Sequence, residues 1–321
     1  MAQTTIVIPN YNGIKYIASC LHSVYAGTVT DIEVIVVDNA STDGSLELIK
    51  EQFPQVTLIE NKENTGFSYA VNQGILASKT PYVFLLNNDT EIDADCIEQL
   101  QNFIQTDERI FSASAKMIAL HNQDKLDDAG DYYCAMGWAF ARGKGKHPSL
   151  FVENCDVFAA CAGAAIYRRE YFEEIGLFDV QHFAYLEDLD IGYRARIHGY
   201  RNCFVANAVV YHAGSATSGS RYNAFKTSLA SRNSVYLIYK NMPLLQILLN
   251  FPFFVAGYGI KLAFFLVKGL GKEYANGIWQ GVRLSIGKEG KSRKVKFCAK
   301  RLRNYAKIQI ELWINLFKML F

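Results

Sequence analysis

The chain has 321 residues and a formal net charge of +2 at pH 7, a balance that argues against a protein built to coat nucleic acid. Half of the residues are hydrophobic and a fifth are charged, which excludes a largely disordered chain and allows a sizeable core. The seven cysteines include no C-x-x-C pair, so they indicate a reduced, cytoplasmic protein rather than a disulfide framework or a zinc site.

Short apolar strands alternate with helices over the first hundred residues. The pattern predicts strands at 5–8, 33–37, 56–59 and 82–86, with helices at 14–24, 46–53 and 67–77 between them. This alternation predicts an α/β fold with a mostly parallel sheet, in which ligands bind beyond the carboxyl ends of the strands. Residues 110–165 are predicted to be irregular, with a mobile loop at 143–146. The first strand follows Met1 almost directly, so we expect no signal peptide.

Polar clusters follow three of the predicted strands, at 9–12, 38–43 and 87–89. Asp38 is placed to accept a hydrogen bond from a base or a ribose, although an ordinary strand–helix turn has the same composition. Asp89, with oxygen-bearing neighbours at the end of a buried strand, suits a hard divalent cation that grips substrate phosphates. A plain polar strand end is the alternative interpretation of Asp89.

Acidic residues and one histidine form the second group of candidates. Glu187, Asp188 and Asp190 start a predicted helix, where they supply either a general base or simple helix-end electrostatics. His212 follows a strand and is either a ligand for a metal or diphosphate, or a structural residue. The segment 61–66 precedes a helix and would bring backbone amides near a phosphate, or form a plain turn.

Read in order, these motifs resemble glycosyltransferase family 2, whose members have the GT-A fold and invert the configuration of the transferred sugar. The resemblance covers residues 4–240 and is closest to the bacterial rhamnosyltransferase-like branch, which builds cell-surface polysaccharides. It is carried by Val7–Asn12, Val37–Gly44, Asn61–Phe67, Leu86–Thr90, Gly163–Ala165, Glu187–Asp190 and His212.

The resemblance implies a role for each matching position. Asp188 would be the catalytic base, with Glu187 as the alternative, and Asp89 and His212 would hold Mn²⁺ or Mg²⁺. Asn87 stands where the family's D-x-D metal motif begins with aspartate, which leaves strict metal dependence open. Arg232 and Asn233 form a nearby polar pair of unknown role. The nucleotide-sugar-binding set would comprise Pro9, Asn10, Tyr11, Asn12, Asp38, Asn39, Asn64, Gly66, Asn87, Asn88 and Gly163.

The implied reaction moves one sugar from a UDP- or dTDP-sugar, such as rhamnose, galactose or glucose, to a saccharide or lipid-linked saccharide acceptor. Processive members of the family carry a Q-x-x-R-W motif, and this chain has Leu284 where that motif needs tryptophan. A catalytically silent nucleotide-sugar-binding or scaffold protein of the same fold is the alternative. A Rossmann dehydrogenase is excluded, because no G-x-G-x-x-G follows the first strand.

Composition changes near residue 240, so we predict a catalytic domain at 1–240 and a helical appendage at 241–321. Residues 244–267 are almost wholly apolar, and residues 288–307 carry nine lysines and arginines against one glutamate. Three interpretations stay open: a peripheral membrane anchor, a packed or dimerising helix, and a true span. The first would place a cytoplasmic protein on the inner face of the cell membrane. We expect no nucleic acid partner, and a homodimer is possible.

Overall fold

The computed structural model describes residues 2–214 and 222–319. Twelve strands and eleven α-helices occur in these ranges. The strands are β1 (Thr4–Asn10), β2 (Ile32–Asp38), β3 (Thr57–Glu60), β4 (Tyr82–Leu86), β5 (Thr90–Ile92), β6 (Ile110–Ala119), β7 (Leu126–Asp128), β8 (Asp131–Tyr133), β9 (Ala139–Ala141), β10 (Cys155–Val157), β11 (Ala164–Arg168) and β12 (Arg201–His212). The helices are α1 (Ile17–Tyr25), α2 (Ser45–Gln52), α3 (Phe67–Ala77), α4 (Cys96–Ile104), α5 (Phe172–Ile175), α6 (Glu187–His198), α7 (Ala224–Asn241), α8 (Leu244–Val267), α9 (Gly271–Ile286), α10 (Lys288–Arg293) and α11 (Leu302–Lys318).

One large sheet organises the molecule, in the strand order β10-β12-β6-β11-β4-β1-β2-β3. Strands β3, β2, β1 and β4 pair in parallel, β11 runs antiparallel between β4 and β6, and β12 is parallel to β6. Six of these eight strands therefore run in one direction, and only β11 and β10 oppose them. The predicted α/β fold with a mostly parallel sheet is confirmed. The carboxyl ends of β1, β2, β4, β6 and β12 meet along one edge.

Helices cover both faces of this sheet because each strand presents apolar side chains alternately to the two sides. One face packs against α1, α2 and α4 through residues such as Ile17, Ile49 and Leu100. The other face packs against α3, α5 and α6. Gly74 lets α3 approach β1 closely, since a Cβ there would lie 2.3 Å from Val7 Cγ1.

The prediction that residues 110–165 are irregular is wrong over its first part. Residues 110–119 form β6, a ten-residue strand near the middle of the sheet, and four short strands follow it. The strand was missed because its sequence, IFSASAKMIA, mixes serine, alanine and lysine with the apolar residues. The structure buries these small polar side chains by pairing them: Ser112 Oγ donates to Asn202 Oδ1 across to β12 at 2.8 Å.

The C-terminal helices pack on the sheet-bearing part of the chain through a shared apolar core. Leu189 and Tyr193 of α6 are buried in one cluster with Leu237 of α7 and with Ile308 and Leu312 of α11. The predicted helical appendage is thus present. The division at residue 240 stays a prediction, because α7 runs across it to Asn241.

Candidate active site

Asn10, at the end of β1, is the centre of a buried polar network at the shared edge of the sheet. Its Nδ2 donates to Asp38 Oδ1 at 2.8 Å and to Ser45 Oγ at 3.0 Å, and its Oδ1 accepts from Asn88 Nδ2 at 2.7 Å. Gly13 packs against this network, since a Cβ there would lie 2.2 Å from both asparagine side chains. The ends of β1, β2 and β4 are therefore held together by direct side-chain contacts.

The loops after these strands leave polar groups and one ring at the surface. Asn12 adopts the left-handed region at φ 51°, where its backbone N–H donates to Ser41 Oγ and its Oδ1 accepts from Thr42 N, both at 2.9 Å. Tyr11 is 36% exposed, whereas Pro9 pairs within the sheet with Val37. Such a rim suits a planar base and a ribose.

A second loop lies beside the first, at the N-terminus of α3. Asn39 Nδ2 donates to the Gly66 carbonyl at 3.3 Å, and Asn64 Oδ1 accepts from Gly66 N at 3.0 Å. Gly66 has φ 82°, which a side chain would resist. On the other side, Asn87 N donates to the Gly163 carbonyl at 2.9 Å. The residues predicted to bind the nucleotide sugar thus lie in adjoining loops.

Asp89 and His212 form a pair at the end of β12. His212 Nε2 lies 3.3 Å from Asp89 Oδ1, and its Nδ1 lies 2.7 Å from Asp127 Oδ2. Asp127 Oδ1 accepts from Lys144 Nζ at 2.7 Å, so the predicted 143–146 loop is attached here. Burial lowers the pKa of His212, but its hydrogen bonds to Asp127 and Asp89 outweigh burial and raise that pKa to about 9.

The spacing of the Asp89 and His212 side chains fits the binding of a divalent cation. Ligand atoms around Mg²⁺ or Mn²⁺ at bond lengths of about 2.1 Å are roughly 3 Å apart, close to the separation of Asp89 Oδ1 and His212 Nε2. Asp127 holds the other ring nitrogen of His212, as carboxylates commonly do for metal-bound histidines. The three residues therefore offer one oxygen and, once a cation displaces the proton from His212 Nε2, one oriented nitrogen, and a phosphate would have to complete the coordination.

Asp188 lies in a cluster of buried acids at the start of α6. Its Oδ1 accepts from Leu189 N at 2.7 Å, and its carboxyl hydrogen-bonds Asp131. Burial raises the pKa of Asp188 to about 6, whereas burial and the Asp188 charge raise that of Glu187 to about 8. Asp128, Asp131 and Cys161 offer ligand atoms within 4.8 Å of one another. At neutral pH Asp188 is the more readily ionised of the two predicted bases.

Asp190 is turned away from this cluster. It is fully buried, and it pairs with Arg194 and Lys240 at 2.8 Å each. Burial opposes its ionisation, but these two cations keep its pKa well below the usual range. Asp179 pairs with the same lysine at 2.7 Å. Asp190 therefore joins α6 to α7 through ion pairs.

Sequence reasoning missed Asp127, Asp128 and Asp131, which lie beside the predicted metal pair and the predicted base. Asp127 and Asp128 belong to β7 and Asp131 begins β8, inside the stretch predicted to be irregular. A signal existed in the run Leu126-Asp127-Asp128-Ala129-Gly130-Asp131, which has three acids around a glycine. Gly130 has φ 88°, and a Cβ there would lie 2.6 Å from Val157 Cγ1.

A polar rim, an Asp–His pair and a half-buried carboxyl thus lie beyond the carboxyl ends of the strands, where α/β sheets of this class bind their ligands. The family model for glycosyl transferase family 2 matches residues 5–176, more than half of the chain. The chain belongs to this family. The resemblance inferred from the motifs is confirmed, and the fold is GT-A.

Among curated relatives, the N-acetylglucosaminyl-diphospho-decaprenol L-rhamnosyltransferase of Mycobacterium tuberculosis is 23% identical over 239 residues, covering 67% of this chain and 77% of the relative. Glycosyltransferase GlyA of Streptococcus pneumoniae is 36% identical over 98 residues, covering 30% of this chain and 14% of the relative. The chain spans less than half the length of the first curated relatives that it matches.

Two solved structures show the same fold. The mannosyltransferase PcManGT of Pyrobaculum calidifontis, in complex with GDP-Man and Mn²⁺, has a TM-score of 0.56 at 17% identity, covering 96% of this chain and 87% of that one. GalNAc-T7 with UDP, GalNAc and Mn²⁺ has a TM-score of 0.60 at 18% identity, covering 75% and 48%.

Proposed function

We propose that the protein transfers a single sugar from a nucleoside diphosphate sugar to a saccharide or lipid-linked saccharide acceptor, with inversion, in the synthesis of a cell-surface polysaccharide. One observation carries this proposal: the half-buried Asp188 carboxyl, whose pKa is raised, lies along the same sheet edge as a nucleotide-type rim and an Asp–His pair. Perturbed acids gathered with ligand-binding groups are typical of catalytic sites. The donor would be a UDP- or dTDP-sugar.

The donor diphosphate would lie between the 64–66 loop and the Asp89–His212 pair. Mn²⁺ or Mg²⁺ bound by Asp89 and His212 would stabilise the negative charge that grows on the leaving diphosphate. Asp127 keeps the His212 ring in place through Nδ1, and Lys144 keeps Asp127 in place. Backbone amides at the start of α3 would add favourable electrostatics for a phosphate. The chain's own residues thus bind and orient the donor.

Asp188 would accept the proton of the acceptor hydroxyl. The acceptor oxygen forms its bond to the anomeric carbon as the bond from that carbon to the diphosphate oxygen breaks, and the proton passes to the Asp188 carboxylate. Attack from the face opposite the diphosphate inverts the configuration. Glu187 keeps its proton at neutral pH, because burial and the neighbouring Asp188 charge raise its pKa to about 8. The base is therefore Asp188.

A catalytically silent nucleotide-sugar-binding protein is the second candidate. It is favoured by Asn87, which supplies an amide where the family's metal motif begins with a carboxylate. Fewer carboxylates weaken the hold on a hard cation. Binding of a diphosphate without turnover of any donor would support this candidate.

Binding of nucleoside diphosphates tests the donor site. We would titrate UDP, dTDP and GDP into the full chain by calorimetry, each with and without Mn²⁺. We expect one uridine or thymidine diphosphate to bind only with the metal, and Asp89→Asn to abolish that binding. Glu91→Gln is the matched control, since it removes a nearby acid from β5. Failure of all three nucleotides to bind would contradict the proposal.

The acceptor is proposed to be lipid-linked because α8 carries polar side chains on its buried stripe and apolar side chains on its exposed side, the reverse of an ordinary surface helix. Its buried stripe includes Gln246 and Asn250, which bond to Tyr193 and to Gln309 of α11 at 2.8 and 2.9 Å. Its outward side chains are large and apolar: Leu244, Leu245, Leu248, Leu249, Phe251, Phe253, Val255, Ile260, Leu262, Phe264, Leu266 and Val267 are all exposed. In the described residues, α8 is the one helix long and apolar enough to cross a membrane, and 17% of it is buried.

The occupant that best fits this face is an anionic lipid surface. Exposed basic side chains follow α8 in the chain: Lys268, Lys272, Lys291, Lys296, Lys300, Arg303 and Lys307. Each such residue near an anionic membrane contributes about 1 kcal/mol of attraction. Large contiguous apolar surfaces on soluble proteins mark interaction sites. A peripheral position on the inner face of the cell membrane would bring the site to a lipid-linked acceptor.

Substitution of the exposed face tests this location. Leu248→Glu with Phe251→Glu should prevent sedimentation with phosphatidylglycerol–phosphatidylcholine vesicles, because charges resist burial in lipid. Leu76→Glu is the matched control, since it changes an equally exposed leucine on α3. Added salt should weaken binding of the wild type. Vesicle binding by the double variant would contradict the proposal, as would a wild-type dimer that the same substitutions dissociate.

A further inference from the structure

The residues before α6 form a strained turn, residues 182–186. Ala184 N donates to the His182 carbonyl at 2.7 Å, closing a three-residue turn around Phe183 at φ 62° and ψ −64°. This is the rarer and more strained of the two γ-turn conformations. Tyr185 and Leu186 follow at φ 69° and 68°. Such backbone persists in non-glycine residues only where surrounding contacts hold it.

Asn233, on α7, holds this turn from one side. Its side chain is fully buried, and its Nδ2 lies 2.8 Å from each of three carbonyl oxygens, those of His182, Ala184 and Tyr185. Its Oδ1 accepts from Arg232 Nε at 3.0 Å, and the Arg232 guanidinium also donates to the His182 carbonyl at 3.2 Å. A neutral donor is required here, because a carboxylate of the same shape would repel the carbonyls.

The opposite side of the turn contacts the 64–66 loop, which is proposed to face the donor diphosphate and is called the donor loop below. Ser68 N, in the first turn of α3, donates to the Phe183 carbonyl at 3.2 Å. A Cβ on Gly66 would lie 2.5 Å from Phe183 Cδ2. The chain then continues from Leu186 directly into Glu187 and Asp188. One turn therefore connects the loop that would face the diphosphate with the acid that would face the acceptor.

The geometry points to Asn233 as a positioning residue for the base: by holding the 182–186 turn, it sets the place of Asp188 relative to the donor loop. The inference rests on the proposed function, in which Asp188 accepts the proton of the acceptor. Asn233 acts through Asp188 and touches neither substrate. A displacement of about 1 Å at a reacting group is enough to cost about 100-fold in rate.

Two asparagines on the same helix provide the test. Asn241 is also buried, but its Nδ2 bonds to Asp190 Oδ1 at 2.8 Å and not to the turn. In the full chain, Asn233→Ala should lower kcat about 10- to 100-fold and leave diphosphate affinity within about threefold. Asn241→Ala should keep kcat within about threefold. Nucleoside diphosphate release would be followed with UDP-glucose and dTDP-rhamnose as donors and N-acetylglucosaminyl-diphospho-decaprenol as acceptor.

Combination with Asp188→Asn separates positioning from general loss of structure. If Asn233 acts through the base, the double variant should be no slower than Asp188→Asn alone. Hydrogen exchange of amides 183–188 should rise in Asn233→Ala and not in Asn241→Ala. The inference would be overturned if the two losses of kcat multiply in the double variant, or if Asn233→Ala alone keeps full kcat. Full kcat in Asp188→Asn alone would contradict the proposed function instead, and hydrogen exchange would still decide whether Asn233 holds the turn.

Discussion

Asp188 and Asp190 are two positions apart on α6 and have opposite electrostatic environments. Desolvation raises the pKa of Asp188 more than its hydrogen bonds lower it, whereas Arg194 and Lys240 hold the pKa of Asp190 low. The first environment suits proton transfer near neutral pH, and the second suits a permanent ion pair. Identical side chains thus have different tasks because different elements pack against them.

Asp188→Asn should stabilise the protein at pH 8 while abolishing the proposed transfer. Burial raises the folded-state pKa of Asp188 to about 6 from 3.8, so stability from this group is present below pH 4 and lost as pH rises through 6. Asparagine in place of Asp188 carries no charge at any pH, so it avoids the cost of burying an ionised carboxylate. We expect a gain on the order of 2 kcal/mol at pH 8 and about half of that gain at pH 5, where the unfolded-state carboxyl is ionised but the folded-state carboxyl keeps most of its proton, measured by urea unfolding.

Asp190→Asn is the matched control for this prediction. It weakens a buried ion network, so it should destabilise the protein at both pH values by a few kcal/mol. Lower stability of Asp188→Asn at pH 8 would contradict the account of its environment.

Asp127→Asn should weaken metal binding without touching the metal. The Asp127 carboxylate accepts from His212 Nδ1 at 2.7 Å, and such outer carboxylates are worth about 10- to 100-fold in metal affinity. The measurement is a calorimetric titration of Mn²⁺ in the presence of UDP. Asp124→Asn, a change of a mostly exposed acid three residues earlier, should have no effect. Equal Mn²⁺ affinity in both variants would remove Asp127 from the site.

At the residue scale, the sequence predicted the positions that follow strands of strong apolar pattern. Asp38, Asp89 and His212 were identified because a polar residue after a buried strand lies at the ligand edge of such a sheet. Asp127 and Asp131 were not, because they depend on short strands stabilised by contacts with β6 and β9. Pairing of this kind is tertiary, and local pattern does not predict it.

At the element scale, α9 packs on α7 through two glycines, Gly277 and Gly281. A Cβ on Gly277 would lie 2.0 Å from Ser231 Oγ and 2.3 Å from the Ser228 carbonyl oxygen. Gly277→Ala should therefore push the helices apart and cost about 1–3 kcal/mol of unfolding free energy in urea titration. Gly259→Ala on α8, where a Cβ meets open space, should be neutral or stabilising. Equal effects of the two changes would contradict the packing of α9.

Helices and strands whose apolar residues recur at regular spacing were predictable from the sequence, whereas the elements inserted between them were not. The alternation of β1 to β4 with α1 to α3 follows from apolar spacing alone. The insertion of β11 antiparallel between β4 and β6 does not, because a strand's neighbours depend on the whole chain. The interior location of Asn250 and Gln309 was equally hidden, since a polar stripe looks solvent-facing until its partner helix is known.

At the scale of the whole molecule, the C-terminal helices are structurally continuous with the catalytic part. Ala135 N donates to the Leu312 carbonyl at 3.0 Å, and Asn315 Nδ2 donates to the Tyr133 carbonyl at 2.9 Å. The same helices carry the exposed apolar face proposed to lie on lipid. Through α7 and Asn233, this region also contacts the turn that leads to Asp188. The face proposed to lie on lipid and the candidate site are therefore parts of one packed unit.

Transfer of a sugar to a lipid-linked acceptor tests the proposed function directly. Wild-type protein and Asp188→Asn would be incubated with Mn²⁺, N-acetylglucosaminyl-diphospho-decaprenol in vesicles, and either UDP-glucose, UDP-galactose or dTDP-rhamnose, and the lipid analysed by mass spectrometry. We expect that one donor adds one sugar with wild-type protein, and that the variant is slower by about 100-fold or more. Diphosphate binding by the wild type, with no sugar transferred from any donor to lipid or water, would contradict it and indicate a silent binding protein.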